Sequence, residues 1–357
     1  MQKKILAAVV ASMMAGQAMA ITVVDDGTNK VSIGGHIGMR YVDQTDGEAT
    51  GDSSRINFAF ENKLTESTTA FAKAEWGFST VSTGSDGDFF WQRLGYVGAK
   101  NDQLGALSFG KQWSSYYMIS GWTDMFATTG GEASGTYTTY GEELGTARAD
   151  DALQYNHSFM GLNVSAQVQL GEREMYDNAV APTPATDHVE RSSSYGIAAS
   201  YDLPMGLSFG AAYNQAELKS AKGEIDLEGK GKAKSAIVGA KFEADKIYAA
   251  LTFAKMKNVD QGGIFEAAGV VEKAEGIELF ASYQLNDMFT VGGGYNQLKD
   301  KSNTADIKGK MKYYPVEVVY TQGPVQLSGT YQFEDSKKAV TGEKVEDKII
   351  LQARYYF

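Results

Sequence analysis

Apolar and polar residues alternate along most of the chain with a period of two, the pattern of a β-strand with two different faces. The segment LNVSAQVQL, residues 162–170, places its Leu, Val and Ala side chains on one face and its Asn, Ser and Gln side chains on the other. The ending KIILQARYYF repeats this pattern, with Ile349 and Leu351 on one face and Gln352 and Arg354 on the other. The pattern predicts strands that meet two different solvents.

Sixteen such segments can be counted, and short and long connections alternate between them. The short connections include 203–206 and 322–324, whereas long polar ones include 43–53 and 174–190. The strands are expected to begin near residues 31, 54, 68, 89, 105, 148, 161, 191, 206, 232, 246, 272, 288, 310, 325 and 345. With about 21 residues for each strand and its connection, every segment is long enough to cross a membrane, which needs about 9–11 residues.

A soluble β-sandwich and a closed barrel in a membrane both accommodate an antiparallel meander of this kind. The sandwich would leave its first and last strands as unprotected edges. An even strand count with alternating turns and loops is typical of bacterial outer-membrane barrels, and about sixteen strands enclose an aqueous channel instead of a packed core. We therefore expect an all-β protein, a 16-stranded antiparallel transmembrane β-barrel forming one domain over residues 21–357.

The first twenty residues have the pattern of a cleaved signal peptide. Lys3 and Lys4 precede an apolar stretch, and Ala18-Met19-Ala20 is a small-residue cleavage motif. Cleavage after Ala20 is the expectation, followed by export. This segment carries two lysines and no acid, so the remaining chain would have 31 basic and 44 acidic side chains, a formal charge of −13.

Composition limits the chemistry that the chain can perform. An acidic chain is a poor match for nucleic acid. The chain has no cysteine, and its three histidines are far apart in sequence, so no metal site or other cofactor is expected. Proline is scarce, with 5 residues, which suits long paired strands.

One connection, residues 114–147, is far longer than ordinary loops, and loops of this length are usually functional. It combines Tyr, Trp and Phe residues with acidic residues that include Asp124 and Glu132. A loop surrounded by water would leave these aromatic side chains exposed, whereas a loop that packs against an inner barrel wall would bury them. An ordered external lid or a protein-binding loop is the alternative. We refer to residues 114–147 as the third loop.

Several motifs resemble those of the general diffusion porins of Gram-negative outer membranes. They are NKVSIGGHIG at 29–38, RLGYVGAK at 93–100, SFGKQW at 108–113, GWTDMFATTGG at 121–131 and the terminal ARYYF. The resemblance covers nearly the whole chain after residue 20. It implies a homotrimer of sixteen-stranded barrels in which the third loop folds inward and narrows a channel for small hydrophilic solutes.

The resemblance also suggests which residues form the narrowest part of the channel. The matching positions are Arg55, Arg93, Arg148 and His36 for a basic wall, and Asp124 and Glu132 for an acidic loop. The family's PEFGG is ATTGG here, so Thr128 replaces one acid and Glu132 is its nearest substitute. In the family, a terminal aromatic residue such as Phe357 is a signal for the outer-membrane assembly machinery.

Other functions remain possible on the sequence alone. A substrate-specific oligosaccharide channel of similar architecture would use inward-facing aromatic residues such as Phe71, Tyr248 and Phe280 for sugar stacking. An enzyme is not favoured, because His157 and its neighbour Ser158 point to opposite faces of a strand. The acidic loop 43–52 could bind divalent cations that bridge to lipopolysaccharide.

Overall fold

The chain forms one closed antiparallel barrel. The computed structural model describes residues 20–43, 48–52, 54–81, 89–175, 189–220, 231–260, 265, 270–302 and 308–357. Sixteen long strands and three short ones lie within these ranges. Residues 1–19, which hold nearly all of the expected signal peptide, lie outside the described part. No helix among the described residues is long and apolar enough to cross a membrane.

The long strands match the sixteen segments expected from the sequence. They are β2 (Asn29–Asp43), β4 (Ser54–Lys63), β5 (Thr68–Phe78), β6 (Phe90–Asn101), β7 (Gly105–Trp113), β8 (Arg148–Phe159), β9 (Leu162–Gln169), β11 (Val189–Asp202), β12 (Leu207–Ser220), β13 (Lys232–Ala244), β14 (Ile247–Asp260), β15 (Val270–Gln284), β16 (Phe289–Asp300), β17 (Lys310–Gln322), β18 (Val325–Glu334) and β19 (Lys348–Tyr356). Most begin within two residues of the expected position, and β19 begins three residues later.

Three short strands extend the sheet locally. They are β1 (Ile21–Asp25), β3 (Glu48–Gly51) and β10 (Arg173–Glu174). Within the described ranges, the helices are also short: α1 (Tyr117–Ser120) and α2 (Gly141–Leu144), both in the third loop.

The barrel closes where β19 pairs with the second half of β2, from Ile349 opposite Asp43 to Tyr356 opposite His36. The pairing continues past the strand end, because the backbones of Gly35 and Phe357 exchange two hydrogen bonds of 3.0 and 3.1 Å. The first half of β2, before this point in the chain, pairs instead with β1. Closure removes the sheet edges that an open meander would expose.

The two faces of each strand meet different surroundings. On β19, Leu351 is 50% exposed on the outer face while Ile350 is fully buried. Outward-facing residues are mainly apolar, such as Val238 and Leu251, while Ser235 and Thr252 on the same strands are buried. An apolar exterior around a polar interior is the arrangement of a membrane barrel, because lipid meets the outside and water the inside.

Candidate channel constriction

The third loop folds inward and is hydrogen-bonded to one half of the inner barrel wall. Glu278 on β15 is its main attachment. Its carboxylate accepts hydrogen bonds from the backbone N–H groups of Ala133 and Ser134, at 2.6 and 2.9 Å, and from the hydroxyl of Thr123 at 2.6 Å. One side chain therefore holds two separate stretches of the loop.

A second set of hydrogen bonds fixes the tip of the loop. The Ala127 N–H donates to both carboxylate oxygens of Glu317 on β17, at 2.9 and 3.2 Å. The hydroxyl of Thr128 donates to Thr330 on β18 at 2.6 Å. The Arg40 guanidinium on β2 donates to the Thr128 carbonyl, so the tip reaches the strand that closes the barrel.

Apolar packing follows the same path along the wall. Ile119 and Trp122 lie directly over Gly210 on β12 and Gly239 on β13, where any larger residue would crowd them. Further along, the carbonyl of Ala133 lies so close to Gly276 on β15 that a Cβ there would be 1.7 Å from it. Small wall residues thus let the loop lie flat against strands β12–β15.

The base of the loop is an aromatic and ionic cluster. Trp113 and Tyr117 stack with their ring centroids 3.9 Å apart. The Arg148 guanidinium lies 5.4 Å from the centre of the Trp113 ring and 2.6 Å from a carboxylate oxygen of Glu142 on α2. Lys111 contacts the other oxygen of Glu142. These contacts hold the point where the loop enters the barrel.

Between the loop and the uncovered half of the wall lies a cavity of about 500 Å³. Its far wall is built from β2, β4, β5, β6 and β19, which face the loop across the cavity. The acidic and basic residues lining it are His36, Arg40, Asp52, Arg55, Lys73, Glu75, Arg93 and Arg354 on the wall, and Asp124 and Glu132 on the loop. This cavity is the candidate constriction.

The wall is less purely basic than the sequence suggests, because carboxylates lie among the basic groups. Glu75 accepts a 2.8 Å hydrogen bond from Arg93 and lies 3.9 Å from Arg55. Asp52 is paired with Arg354, with one contact at 3.1 Å, and its carboxylate is 4.0 Å from the His36 ring. Five basic and four acidic side chains line the cavity, a formal charge of +1 with His36 neutral.

The two loop acids face this wall, and each is held by tyrosine. Asp124 accepts hydrogen bonds from the hydroxyls of Tyr117 and Tyr137, at 2.8 and 2.5 Å. Glu132 accepts one from Tyr313 on β17. Burial raises the pKa of both carboxyl groups above their usual range, although the tyrosine hydrogen bonds oppose this shift.

The structure brings together five of the residues that the sequence singled out. His36, Arg55 and Arg93 line the cavity opposite Asp124 and Glu132. Arg148 is not among the lining residues, because its guanidinium is directed to Glu142 and Trp113 at the base of the loop. Phe357 lies at the barrel seam, where its backbone pairs with Gly35, and it is not among the residues that line the cavity.

Sequence reasoning missed the residues that hold the loop in place. Glu278 lies between Ile277 and Leu279 at an inward position of an otherwise apolar segment, and a lone acid at such a position is a usable signal. Asp52 ends the acidic segment 43–52, for which the sequence suggests divalent cations as partners, yet it is buried against Arg354. No sequence pattern indicates the tyrosine partners of Asp124.

A closed barrel with an apolar exterior, a polar interior and a charged narrowing defines a water-filled channel through a membrane. The narrowing lies inside the barrel. The third loop, which forms one side of it, is hydrogen-bonded to the barrel wall, so the folded structure sets the width of the passage. Ions and small polar molecules are the species that such a passage accommodates.

Comparison with known proteins agrees with this class. The family model described as Gram-negative porin matches residues 6–339. Outer membrane porin N of Escherichia coli K12 is 28% identical, with both chains fully covered. Outer membrane protein S2 of Salmonella typhi is also 28% identical, over 90% of this chain and 89% of that one. The solved structure of Salmonella typhi OmpF in complex with daunomycin superposes with a TM-score of 0.78 at 22% identity, over 94% of this chain and all of the other.

The chain therefore belongs to the Gram-negative porin family. It is an outer-membrane protein whose sixteen-stranded barrel forms a water-filled channel for passive diffusion of small hydrophilic solutes and ions.

Proposed function

We propose that the third loop, residues 114–147, is the selectivity constriction of this channel. Solutes pass between Asp124 and Glu132 on the loop and the group of His36, Arg55 and Arg93 on the wall. The observation that supports this proposal is the inward path of the loop, which leaves a cavity of about 500 Å³ bordered by opposite charges.

Opposed charges across a narrow aqueous gap produce a transverse electric field. Water and dipolar solutes align with this field, whereas an apolar solute has to displace ordered water, so polar solutes pass more easily. In this chain Glu75 and Asp52 neutralise part of the basic wall. We therefore expect the channel to have only a weak preference between cations and anions, and the size of the solute to be the main determinant of permeation.

Single-channel recordings and liposome swelling test the proposal together. Purified protein in planar bilayers is expected to give a linear ohmic conductance in potassium chloride and a small reversal potential in a salt gradient. Swelling rates with neutral sugars should fall steadily with solute size. A sharp preference for one sugar over others of equal size would contradict general diffusion.

The contacts disfavour an oligosaccharide-specific channel. Stacking on a sugar needs an open aromatic face, but Trp113 and Tyr117 stack on each other. Phe280 is covered by Phe126 of the third loop, with the ring centroids 4.6 Å apart, and the Tyr248 hydroxyl donates to the Trp122 carbonyl. Saturable block of the current by a maltodextrin or another oligosaccharide would support that alternative instead.

The proposal extends to how the protein reaches and occupies the membrane. Residues 1–20 are a signal peptide cleaved after Ala20, the mature chain forms a homotrimer, and Phe357 is recognised by the outer-membrane assembly machinery. Lipopolysaccharide is its lipid partner, and no catalytic step is assigned. N-terminal sequencing and light scattering of protein purified from membranes test the cleavage site and the trimer. A mature chain that begins at a residue other than 21, or a light-scattering mass equal to that of a monomer, would contradict these assignments.

A further inference from the structure

Lysines form a row across the outside of the barrel near one end of strands β13–β16. Lys234 on β13 is directly opposite Lys257 on β14, and Lys257 is directly opposite Lys273 on β15. The row continues to Lys301, whose backbone N–H donates to the Lys273 carbonyl at 2.7 Å. Four ammonium groups therefore lie on consecutive strands, spaced by about 4.8 Å per strand. We refer to these four residues as the lysine row.

The lysine row faces outward. Lys257 and Lys273 are exposed, while their strand neighbours Met256 and Ala274 are buried inside the barrel. Lys234 lies on the same outer face of β13 as Val238, which is 54% exposed. Val238 belongs to the band of apolar side chains around the outside of the barrel, which we call the apolar belt. Four residues of strand separate these two positions, a distance of about 13 Å. The row thus lies just beyond the edge of the apolar belt.

The row lies at the end of the barrel with the long connections. At the opposite end, β13 and β14 are joined by the tight turn at Asp245 and Lys246, and β17 and β18 by an equally short one. In outer-membrane barrels the short turns are periplasmic and the long loops extracellular. The row is therefore level with the headgroups of the outer leaflet.

The protein balances only part of the charge in the lysine row. Among the described residues, Lys234, Lys257 and Lys273 have no ion-pair partner, and Lys301 reaches Glu275 only at 3.5 Å. Lys255, on the same strand as Lys257, is a further lysine beside the row, and its ammonium group lies 3.6 Å from the same Glu275 carboxylate. Like charges directly opposite each other destabilise a sheet. Next to a membrane, where water screens them less, a bound anion would relieve that repulsion.

We propose that the lysine row is a binding site for a lipid headgroup that carries two or more phosphate groups, the chemistry of the membrane anchor of lipopolysaccharide. Three strand spacings, about 14 Å, are wider than one phosphate and match a headgroup with separated phosphates. The acyl chains would lie on Val238, Leu251 and Leu279 below the row, all exposed and apolar. Ammonium groups would contact phosphate directly, without a bridging metal ion.

This inference rests on the proposed lipid partner, and it can fail without affecting the channel function. The lysines face away from the lumen, so their loss should leave conductance unchanged. Such a site would attach the outer leaflet to the barrel on the face formed by β13–β16.

The test is a binding titration of full-length mature protein in neutral detergent with EDTA, followed by native mass spectrometry. The ligand is bisphosphorylated lipid A, compared with the same glycolipid after complete dephosphorylation. The variant is Lys234→Gln/Lys257→Gln/Lys273→Gln. The control Lys30→Gln/Lys63→Gln/Lys246→Gln removes the same charge near the opposite end of the barrel.

The row variant should bind the phosphorylated lipid at least about tenfold more weakly than wild type, because each lysine near anionic headgroups contributes substantially. The control variant should bind as wild type does, and the dephosphorylated lipid should bind weakly to all. Single-channel conductance verifies that each variant is folded. If the triple variant does not fold, Lys257→Gln alone should weaken binding about threefold to fivefold.

Three results would overturn the proposal. The first is unchanged affinity in the row variant, and the second is an equal loss in the control variant, which would show unspecific attraction. The third is wild-type binding that is absent in EDTA and appears only when excess magnesium or calcium is supplied, which would indicate cation bridging through acidic groups.

Discussion

The two acidic residues of the third loop that line the cavity, Asp124 and Glu132, accept hydrogen bonds from tyrosine hydroxyls. Tyr117 and Tyr137 both donate to Asp124, while Tyr313 donates to Glu132. These hydrogen bonds fix the direction in which each carboxylate faces the basic wall. Burial nevertheless raises the pKa of both groups, so they lose charge at a higher pH than exposed carboxyl groups would.

The first prediction is a pH-dependent ion preference. Because the pKa values of Asp124 and Glu132 are raised, protonation should begin above the usual carboxyl range of about 4. Lowering the pH from 7 removes negative charge from the loop while the wall arginines stay charged. The reversal potential in a potassium chloride gradient should therefore move toward anion preference.

The double variant Asp124→Asn/Glu132→Gln is the matched control for this effect. At pH 7 it should already show the anion-shifted reversal potential, and acidification should change it little. A wild-type shift that persists in full in the double variant would assign the effect to carboxyl groups other than these two.

The second prediction concerns Glu278, which joins two stretches of the loop. Glu278→Ala removes three hydrogen bonds to a carboxylate, each worth about 1.5–3 kcal/mol. The loop should then move on the wall, giving noisier single-channel currents and an altered conductance. Glu278→Gln keeps one acceptor oxygen and should be intermediate. If Glu278→Ala gave quiet currents of wild-type size, Glu278 would not be needed to position the loop.

At the scale of elements, the third loop and the wall beneath it fit through small residues. Gly276 is the clearest case, because a single methyl group there would overlap the Ala133 carbonyl. Gly292, one strand further on β16, would place its Cβ 3.6 Å from the nearest atoms, which is ordinary contact. The two positions therefore form a matched pair.

The third prediction follows from this pair. Gly276→Ala should push residues 132–134 away from β15 and change the conductance, whereas Gly292→Ala should leave it unchanged. Single-channel conductance measures both, and the heat-modified mobility of each variant on gels verifies barrel folding. Equal conductance of the two variants would show that the loop does not lie against Gly276.

The sequence predicts strands better than it predicts the contacts between loop and wall. Two-residue alternation located the sixteen strands because each strand separates lipid from water, and that requirement acts on every residue. The path of the loop depends instead on isolated positions such as Glu278 and Gly276, which no period marks. Arg148 shows the same limit, since the resemblance to the family assigns it to the channel wall but cannot show that Glu142 is its partner.

At the scale of the whole molecule, the chain end completes the barrel. β19 pairs with β2, and Phe357 adds two backbone hydrogen bonds to Gly35 beyond the last strand residue. This seam agrees with the closed barrel expected from the sequence, in which an amphipathic strand runs to the final residue. The end of the chain is therefore part of the sheet, and the assembly signal proposed for Phe357 would involve the same residue.

The fourth prediction separates these two roles. Deleting Phe357 should reduce the amount of folded protein in the outer membrane several-fold, while Phe357→Tyr, which keeps an aromatic terminus, should assemble normally. Refolding of the deletion variant in detergent measures the structural contribution of the seam without the assembly machinery. Normal membrane assembly of the deletion variant would contradict the signal assignment.

The central claim is that the third loop narrows the lumen at Asp124. The chain has no cysteine, so Asp124→Cys introduces a single reactive thiol. Adding a bulky, positively charged thiol reagent to this variant in a planar bilayer should lower the single-channel conductance in one discrete step per channel. The control Lys246→Cys, in a short turn outside the lumen, should react without a change in conductance. Complete labelling of Asp124→Cys with unchanged conductance would contradict the account.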